Sequence, residues 1–312
     1  MKKFIALMLA MVMVFALCAC GNDSKNDTDA DAKDYSSMTL DELKAELKTV
    51  NKGKLTVATS PDFAPYEFYS LDADGNATLA GFDIAFAQYI ADKLGLELNI
   101  VPMDFDGTLA ELQAKNVDIG MAGYSPDPKR ESIMSFTKIY YKGGQSFVTS
   151  KAKADEITSL EVANNAKYKI GAQTGSIQMD LAEANTPDAD NIGLTKVPDI
   201  IAEVVSGKLD GAFMETIVAK AYQAQYEDLV IVCDVPYEQE GSAIGVNKDN
   251  EVLLAAMNLI IDEAINDGSL QKFVDEAGIL AVGDKYEGLL DDAGHVPAAD
   301  DTAADTDRKS VV

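Results

Sequence analysis

Residues 82–101 read FDIAFAQYIADKLGLELNIV and show how the chain alternates between helix and strand. Apolar residues recur at helical spacing over 82–94, Gly95 is a typical helix stop, and 96–101 is typical of a strand. A β-rich run over 55–59 precedes this helix. The order strand, helix, strand is the repeating unit of α/β proteins, so this stretch predicts an α/β fold class.

Similar units follow along the chain. The further predicted helices cover 109–114, 177–184, 200–205 and 217–225. The further predicted strands cover 117–122, 168–172, 192–197 and 209–214. This alternation predicts parallel sheets covered by helices, in two Rossmann-like α/β lobes. We expect lobe 1 over 54–142 and 236–282, lobe 2 over 143–235, two crossover segments between them, and a ligand site in the cleft.

Composition and charge exclude several classes of function. The chain has 26 Lys plus Arg against 52 Asp plus Glu, and this formal net charge of −26 argues against binding to nucleic-acid phosphates. His295 is the only histidine, so a Ser/His/Asp triad or a His-rich zinc site cannot be assembled. The run Asp-Ala-Asp-Gly-Asn over 72–76 lacks the preceding helix of a calcium loop and is interpreted as a hairpin turn. We expect no metal and no cofactor.

The N-terminus has the pattern of an export signal. Two lysines precede an apolar run over 4–17, which is shorter than a membrane-spanning helix needs to be, so residues 1–19 are predicted to be a signal peptide. The run ends in Leu17-Cys18-Ala19-Cys20-Gly21, which resembles a bacterial lipobox. Cys20 is therefore the predicted lipidation site, and the lipid would anchor the chain to the cell membrane. An ordinary secreted protein with incidental cysteines is the alternative.

The segments that flank the lobes are polar. Residues 20–53 are predicted to be a lipid-anchored flexible tether, which includes a short helix behind the capping box Thr39-Leu40-Asp41-Glu42. Residues 283–312 are predicted to be a disordered acidic tail. After Cys20 the only cysteine is Cys233, so we expect no disulfide within the chain.

Four segments occur in a fixed order between the flanking regions. They are LTVATSPDFAPYEF (55–68) with GFDI (81–84), MDFDGTLAELQAKNVD (103–118), AGYSPDPKR (122–130) running into FT (136–137) and YY (140–141), and IGAQTGS (170–176) with GKLDGAFME (207–215). Over about 54–278 they resemble the extracytoplasmic solute-binding proteins of ABC importers, in polar amino-acid-binding family 3. The resemblance implies a type II periplasmic-binding-protein fold, the Venus flytrap.

The resemblance implies a site for the α-carboxylate of an amino acid on lobe 1. Such a group needs a planar cationic fork and N–H donors, because burying it unpaired is prohibitive. Arg130 matches the family's carboxylate-binding arginine, Ser125 adds a hydroxyl and an N–H on the same loop, and Gly123 is a further predicted contact in that motif. Taken alone, Arg130 beside Lys129 would be an ordinary solvated surface charge.

Lobe 2 is expected to complete the site. Ser176 precedes a helical pattern and is predicted to be a second carboxylate contact, with a plain helix N-cap as the alternative. Glu215 stands where the family has an Asp that binds the α-ammonium, so the resemblance implies that role, with an N-cap as the alternative. Because Glu is longer by a methylene, the ligand's amine or the lobe spacing should shift by about one bond, roughly 1.5 Å.

Three further residues are predicted to surround the ligand's side chain. Phe63 and Phe105 match the family's aromatic positions and are expected in loops just past strands. Ser60 stands where the family commonly has an Asp that holds a polar or cationic side chain, so Ser60 favours a neutral amino acid. Other groups that could line this pocket are Asp62, Tyr124, Gln145 and Glu240.

The resemblance implies a membrane-tethered, monomeric receptor that binds an amino acid and delivers it to an ABC importer permease. Two alternatives remain open. A dehydratase or lyase on the same fold would use Glu215 as a general acid and would need a raised pKa there. A sensory protein would instead report ligand occupancy to a separate membrane receptor.

Overall fold

The computed structural model describes residues 34–238, 241–283 and 285–286. The signal peptide, Cys20 and most of the acidic tail therefore lie outside the described residues. The chain divides into two compact units, residues 1–37 and 38–312. In the first unit the described part is a 3-10 turn over Tyr35–Ser37, in which the Asp34 carboxylate accepts a hydrogen bond from the Ser36 N–H at 3.0 Å.

The second unit alternates helices and strands. Its helices are α1 (Leu40–Glu46), α2 (Phe82–Leu94), α3 (Phe105–Gln113), α4 (Leu160–Ala163), α5 (Ile177–Asn185), α6 (Val197–Val205), α7 (Thr216–Gln223), α8 (Glu251–Asn266) and α9 (Ser269–Leu280). Its strands are β1 (Lys54–Thr59), β2 (Asp62–Phe63), β3 (Glu67–Leu71), β4 (Ala77–Ala80), β5 (Glu97–Pro102), β6 (Ile119–Gly120), β7 (Met134–Phe136), β8 (Gln145–Ser150), β9 (Lys169–Gln173), β10 (Asp190–Leu194), β11 (Gly211–Glu215), β12 (Leu229–Val235), β13 (Gly245–Asn247) and β14 (Lys285–Tyr286). In the described part of the chain, no helix has the length and apolar character needed to cross a membrane.

Each lobe is built on one five-stranded sheet. The sheet of lobe 1 has the order β5-β1-β6-β13-β7, and the sheet of lobe 2 has the order β10-β9-β11-β8-β12. A smaller antiparallel sheet in lobe 1 has the order β14-β3-β2, with β4 paired to β3. The prediction of two α/β lobes is confirmed, and the run 72–76 forms the predicted hairpin turn between β3 and β4.

The expectation of parallel sheets is wrong in part, because both large sheets are mixed. In lobe 1, β5, β1 and β6 run parallel and β13 pairs antiparallel with β6 and β7. In lobe 2, β10, β9 and β11 run parallel and β8 pairs antiparallel with β11 and β12. A parallel neighbour needs a crossover helix. The described residues of the two lobe crossings contain no helix, and the first strand after each crossing, β8 or β13, runs opposite to the other strands of its sheet.

The two crossover segments lie side by side. A β-bridge joins Tyr141 to Ser242, in which the Ser242 N–H donates to the Tyr141 carbonyl at 2.7 Å. The Tyr140 N–H donates to the Ser242 carbonyl at 2.9 Å. The Tyr66 and Ser242 hydroxyls are 2.8 Å apart and extend this link to the strand region of lobe 1. Any change in the angle between the lobes must therefore pass through this paired segment.

The flexible tether expected over 20–53 is wrong for its helical part, because the short N-terminal helix α1 packs on lobe 1. Its capping box forms as predicted, since the Thr39 hydroxyl accepts from the Glu42 N–H and the Glu42 carboxylate accepts from the Thr39 N–H. Leu43 is fully buried, and the helix packs on α8. The prediction of disorder from residue 283 onward is wrong for β14. This strand pairs with β3, and the pairing satisfies the backbone hydrogen-bonding groups at the edge of β3.

Candidate ligand-binding cleft

The two lobes touch across the cleft. The Arg130 Nη2 of lobe 1 donates to the Gly175 carbonyl of lobe 2 at 2.9 Å. Lys129 Nζ, also of lobe 1, lies 3.0 Å from the carboxylate of Asp180 of lobe 2. Gly175 also faces Asp106, since a Cβ at Gly175 would lie 3.4 Å from the Asp106 Cβ. The cleft is therefore closed in this structure.

Arg130 is held at the end of a 3-10 turn, Pro128–Arg130. Asp127 caps the turn, because its carboxylate accepts from the Lys129 N–H at 2.8 Å. Arg130 is only 8% exposed, so the interpretation as a solvated surface charge is wrong. Its guanidinium carbon lies 5.7 Å from the centre of the Phe105 ring, and burial lowers the pKa of this guanidinium.

Within the described residues, no carboxylate lies within 4 Å of a terminal nitrogen of Arg130. A buried cation without a counter-ion is unfavourable, because it has lost its hydration without gaining an opposite charge. The arrangement therefore fits an anion that enters the cleft. Ser125 is buried on the same loop.

Gly123 connects this loop to the aromatic side chains. Its backbone is left-handed, with φ +58°, and its N–H donates to the Asp83 carboxylate at 3.2 Å. A Cβ on Gly123 would lie 2.8 Å from Cε1 of Phe63, so no larger residue fits without movement of that ring. Gly123 thus lets the loop lie directly against Phe63.

Phe63 and Phe105 are both buried, but neither lies in a loop as expected. Phe63 is part of β2, which pairs with β3 directly after a tight turn, and its ring centre is 5.4 Å from that of Tyr66. Phe105 is the first residue of α3, because Asp104 already takes the N-cap position. Its ring stands perpendicular to that of Tyr124 at 5.7 Å.

Ser176 occupies the N-cap position of α5, but its side chain does not cap the helix. Its hydroxyl donates instead to the Gln173 carbonyl at 2.8 Å, and its N–H donates to the same oxygen at 3.2 Å. The alternative of an ordinary side-chain N-cap is therefore wrong. Ser176 closes the turn that aligns the first turn of α5 with Gly175, the residue that contacts Arg130.

Glu215 ends β11 and is only 3% exposed. Its Oε2 caps α7 by accepting from the Ile217 N–H at 2.6 Å and from the Val218 N–H at 3.2 Å. Its Oε1 is buried and accepts no hydrogen bond of normal geometry from the described residues. The N-cap alternative is thus present, but it uses only one of the two oxygens.

Burial raises the pKa of Glu215 to about 7, although the N–H groups of Val218, Ile217 and Gly144 act in the opposite direction. The free Oε1 lies against the crossover segment, since a Cβ on Gly143 would be 2.2 Å from it. Among the residues that the structure describes, no Lys or Arg lies within ion-pair distance of this carboxylate. An ammonium group would satisfy Oε1 and hold Glu215 ionised.

A small cavity of about 10 Å³, room for about one water molecule, lies between the lobes. Phe63 lines it from lobe 1, and Gln173, Gln178, Val197 and Met214 are among the lobe 2 residues that line it. The sequence analysis did not single out Gln173, Gln178 or Val197. The sequence feature that could have predicted the two glutamines is their position on either side of Thr174-Gly175-Ser176.

Gln178 connects the cavity to Glu215. Its Nε2 donates to Oε1 of Gln145 at 2.9 Å, and Gln145 is the strand partner of Glu215 across β8 and β11. Gln145 therefore lies beside Glu215. The sequence analysis named Gln145 among the groups that could line the pocket for the ligand's side chain. Glu240, another of those groups, lies outside the described residues.

Ser60 and Asp62 form a pair that contacts Gln173 and Val197, two residues that line the cavity. Ser60 is buried and its hydroxyl donates to Oδ1 of Asp62 at 3.1 Å. Oδ2 of Asp62 accepts from Nε2 of Gln173 at 3.2 Å and from the Val197 N–H at 3.0 Å. Burial raises the pKa of Asp62 to about 6.

The structure thus arranges the predicted residues in two groups that face one cleft. Arg130 contacts Gly175, which directly precedes Ser176, and lies near Phe105, whereas Glu215 lies near Gly143 and Tyr66. Phe63 and Gly123 connect them, because the Phe63 ring contacts both Gly123 and Tyr66. The described residues contain no cluster of three or more His, Cys, Asp or Glu side chains suited to a metal ion.

Comparison with known proteins identifies the family. The model of the bacterial extracellular solute-binding proteins, family 3, matches residues 55–277. The chain belongs to this family and is a solute-binding protein with a type II periplasmic-binding-protein fold.

The chain is similar to several characterised proteins. It is 29% identical over 277 residues to the arginine-binding extracellular protein ArtP of Bacillus subtilis, covering 87% of this chain and 96% of that one. It resembles the amino acid ABC transporter substrate-binding protein of Streptococcus pneumoniae bound to L-arginine, with a TM-score of 0.71, 29% identity, and coverage of 78% and 100%. It also resembles an ancestral amino acid-binding protein described as a precursor of cyclohexadienyl dehydratase, with a TM-score of 0.66, 30% identity, and coverage of 77% and 99%.

Proposed function

We propose that this protein binds a free amino acid between its lobes and delivers it to the permease of an ABC importer. One observation carries the proposal. Each lobe presents a buried charged group without an opposite charge among the described residues, a cation at Arg130 and an anion at Glu215. An amino-acid zwitterion supplies the missing charge to both groups at once.

In the proposed complex, the guanidinium of Arg130 binds the ligand's α-carboxylate through two parallel N–H···O bonds. Ser125, Ser176 and Gly123 supply further polar contacts around this group. Oε1 of Glu215 binds the α-ammonium, while Oε2 stays on the N-terminus of α7 and keeps the side chain in place. Phe63 and Phe105 are the aromatic walls next to the ligand's side chain, and Ser60 donates to Asp62 beside Phe63 in the chain.

We also propose that the protein works outside the cytoplasm as a lipid-anchored monomer. The family supports an extracellular location, and Leu17-Cys18-Ala19-Cys20-Gly21 supports lipidation at Cys20 after removal of residues 1–19. In this proposal, the residues from Cys20 to the start of α1 form the tether, 54–142 with 236–282 form lobe 1 together with α1 and β14, 143–235 form lobe 2, and the residues after β14 form the tail. The ligand-bound form then docks on a separate permease.

The test of binding is a thermal-shift screen of the mature protein against the twenty amino acids. A ligand that binds only the folded state raises the melting temperature, and the rise grows with ligand concentration. At least one amino acid should give such a rise in wild type and a much smaller one in Arg130→Met. If none of the twenty shifts the melting temperature, amino-acid binding is refuted.

The anchor is tested by Cys20→Ser in the full-length chain. Because the protein is strongly acidic and the acyl chains supply the membrane affinity, the variant should leave the membrane fraction and appear in the soluble extracellular fraction. Cys233→Ser is the matched control and should stay with membranes. Retention of a Cys20→Ser protein that has lost its leader contradicts lipid anchoring.

A dehydratase is the second candidate, because the pKa of Glu215 is raised to about 7 and a relative is described as a dehydratase precursor. The same carboxyl would then donate a proton to a leaving hydroxyl instead of binding an ammonium. The discriminating assay follows ultraviolet absorbance on adding arogenate or prephenate to wild type and to Glu215→Gln. Turnover that Glu215→Gln abolishes would favour the enzyme, and its absence in wild type favours the binding protein.

A further inference from the structure

Asp62 lies on lobe 1 and accepts hydrogen bonds from lobe 2, but no cationic side chain of the described residues pairs with its carboxylate. It belongs to β2 of lobe 1, and its Oδ2 binds two donors of lobe 2, the Gln173 amide and the Val197 N–H. Its Oδ1 accepts from the hydroxyl of Ser60. All of these donors are neutral, so the carboxylate is held in place but its charge is not balanced.

The start of helix α6 explains why the position of Asp62 is fixed. Lys196 occupies the N-cap of α6, and its side chain makes no capping hydrogen bond. The first N–H of the helix, that of Val197, is satisfied by Asp62 from the opposite lobe. A helix N-terminus needs such acceptors, and an anion there is favourable. Closure of the cleft therefore places this carboxylate at one defined point.

The charges around Asp62 do not neutralise it. Asp104 acts to raise its pKa and Lys196 acts to lower it, but burial is the largest influence and raises the pKa. Neither Lys196 nor any other described Lys or Arg lies within 4 Å of the carboxylate. A carboxylate that loses water on closure without gaining a cation is unfavourable. A cation delivered with the ligand removes that penalty.

The cavity connects Asp62 with the proposed ammonium site. Gln173 and Val197, which bind Asp62, line the same cavity as Gln178, which donates to Gln145, the strand partner of Glu215. Phe63, next to Asp62 in the chain, forms its wall from lobe 1. In a cleft opened to admit a ligand, an amino acid with its α-ammonium at Glu215 would extend its side chain along Phe63 toward Asp62.

We propose that Asp62 is the specificity-determining residue of this cleft and selects amino acids with a cationic side chain, a guanidinium or an ammonium. This inference rests on the proposed function. It reverses the expectation drawn from Ser60 alone, which favoured a neutral ligand. Ser60 is not itself the partner of the side chain; it donates to the acid two residues later and orients it.

The experiment compares arginine with citrulline, its neutral near-isostere, by titration calorimetry on the mature protein. Wild type should bind arginine at least about 10-fold more tightly, which is the usual loss when a hydrogen bond to a charged partner is removed. Asp62→Asn keeps the shape and the acceptor oxygen but removes the charge, so the ratio should fall to within about threefold. Asp74→Asn, on an exposed hairpin turn, is the control and should keep the wild-type ratio.

Two results overturn the inference. The first is that the wild-type protein binds citrulline or glutamine as tightly as arginine, because the cleft then does not select for the charge of the side chain. This result needs no variant. A preference for arginine that persists in a folded Asp62→Asn protein, checked by its circular dichroism melting curve, assigns the selection to another group. If no amino acid binds wild type at all, the proposed function fails and this inference fails with it. If neutral amino acids bind as tightly as arginine and Arg130→Met abolishes that binding, only this inference fails.

Discussion

The two lobes hold opposite charges by different means. On lobe 1, the cation of Arg130 rests near an aromatic ring and donates to a carbonyl of the other lobe. On lobe 2, the anion of Glu215 is fixed by two N–H groups of its own helix α7. Glu215 is thus positioned within one lobe, whereas the guanidinium contact of Arg130 exists only when the lobes meet. This difference suggests that the ligand's amine is bound by a preformed group and that its carboxylate is bound as the cleft closes.

The largest expected effect is the loss of the charge on lobe 1. Arg130→Met should weaken amino-acid binding by about 3–5 kcal/mol, because the ligand's carboxylate would be buried without a partner. Arg130→Lys keeps the charge but loses the fork, so its loss should be about 2 kcal/mol or more. Titration calorimetry measures both values.

Lys129→Met is the matched control for Arg130, since Lys129 is the exposed neighbour that pairs with Asp180 across the cleft. We expect it to weaken binding by about 1 kcal/mol or less, as is usual for surface ion pairs. The free energy of unfolding of ligand-free Arg130→Met should not fall, because the variant removes an unbalanced buried cation. Equal losses of affinity in Lys129→Met and Arg130→Met contradict the role of Arg130.

The next effect concerns the charge on lobe 2 and its dependence on pH. Burial raises the pKa of Glu215 from 4.5 to about 7, so the folded protein retains a proton that the unfolded chain releases. This contribution to the free energy of unfolding is complete below about pH 4 and is lost as the pH rises through 7. The rise in pKa corresponds to on the order of 3 kcal/mol.

Urea unfolding of the ligand-free protein at pH 5, 6, 7 and 8 measures this dependence. Wild type should become less stable as the pH rises, and Glu215→Gln should reduce the slope while keeping an acceptor for the N-terminus of α7. Asp62 and Asp83, whose pKa values burial also raises to about 6, leave a residual slope in the variant. An identical slope in both proteins means that Glu215 has an ordinary pKa.

The smallest effect is expected at Ser176. Ser176→Ala removes the hydroxyl proposed as a contact of the ligand's α-carboxylate, so we expect binding to weaken by about 1 kcal/mol, the usual net value of one hydrogen bond. The bond of this hydroxyl to the Gln173 carbonyl lies within the protein, so its loss acts on the free energy of unfolding instead. Ser159→Ala, at the N-cap of the remote helix α4, should leave the affinity unchanged. A loss at Ser176 as large as that of Arg130→Met would make this hydroxyl a principal ligand contact.

The fold was predictable because its signals are local. The apolar spacing over 82–94 and the glycine that follows correspond to α2 and to Gly95, whose φ is +72°. Strand direction was not predictable in the same way, because β8 and β13 take their direction from the crossover segments and not from their own residues. Phe105 was misplaced in a loop because nothing in its own residue type distinguishes a loop from the first turn of α3.

The site was predictable only through the ordered motifs. Nothing local distinguishes the buried Arg130 from its exposed neighbour Lys129, and the resemblance supplied that distinction. The role of Asp62 depends on contacts with residues 111 and 135 positions away, which no pattern near residue 62 reveals. Likewise, Glu215 both ends β11 and caps α7, and only the structure shows that one of its oxygens caps the helix while the other has no hydrogen bond of normal geometry.

The central claim is that one zwitterion bridges Arg130 and Glu215. The most direct measurement takes the amino acid with the largest thermal shift and titrates it by calorimetry beside its α-amide and its Nα-acetyl derivative. The amide removes the carboxylate that Arg130 binds, and the acetyl group removes the ammonium that Glu215 binds. We expect each derivative to bind at least about 100-fold more weakly than the free amino acid, as expected when a buried charge loses its partner. If either derivative binds as tightly as the free amino acid, the ligand does not bridge the two lobes in this way.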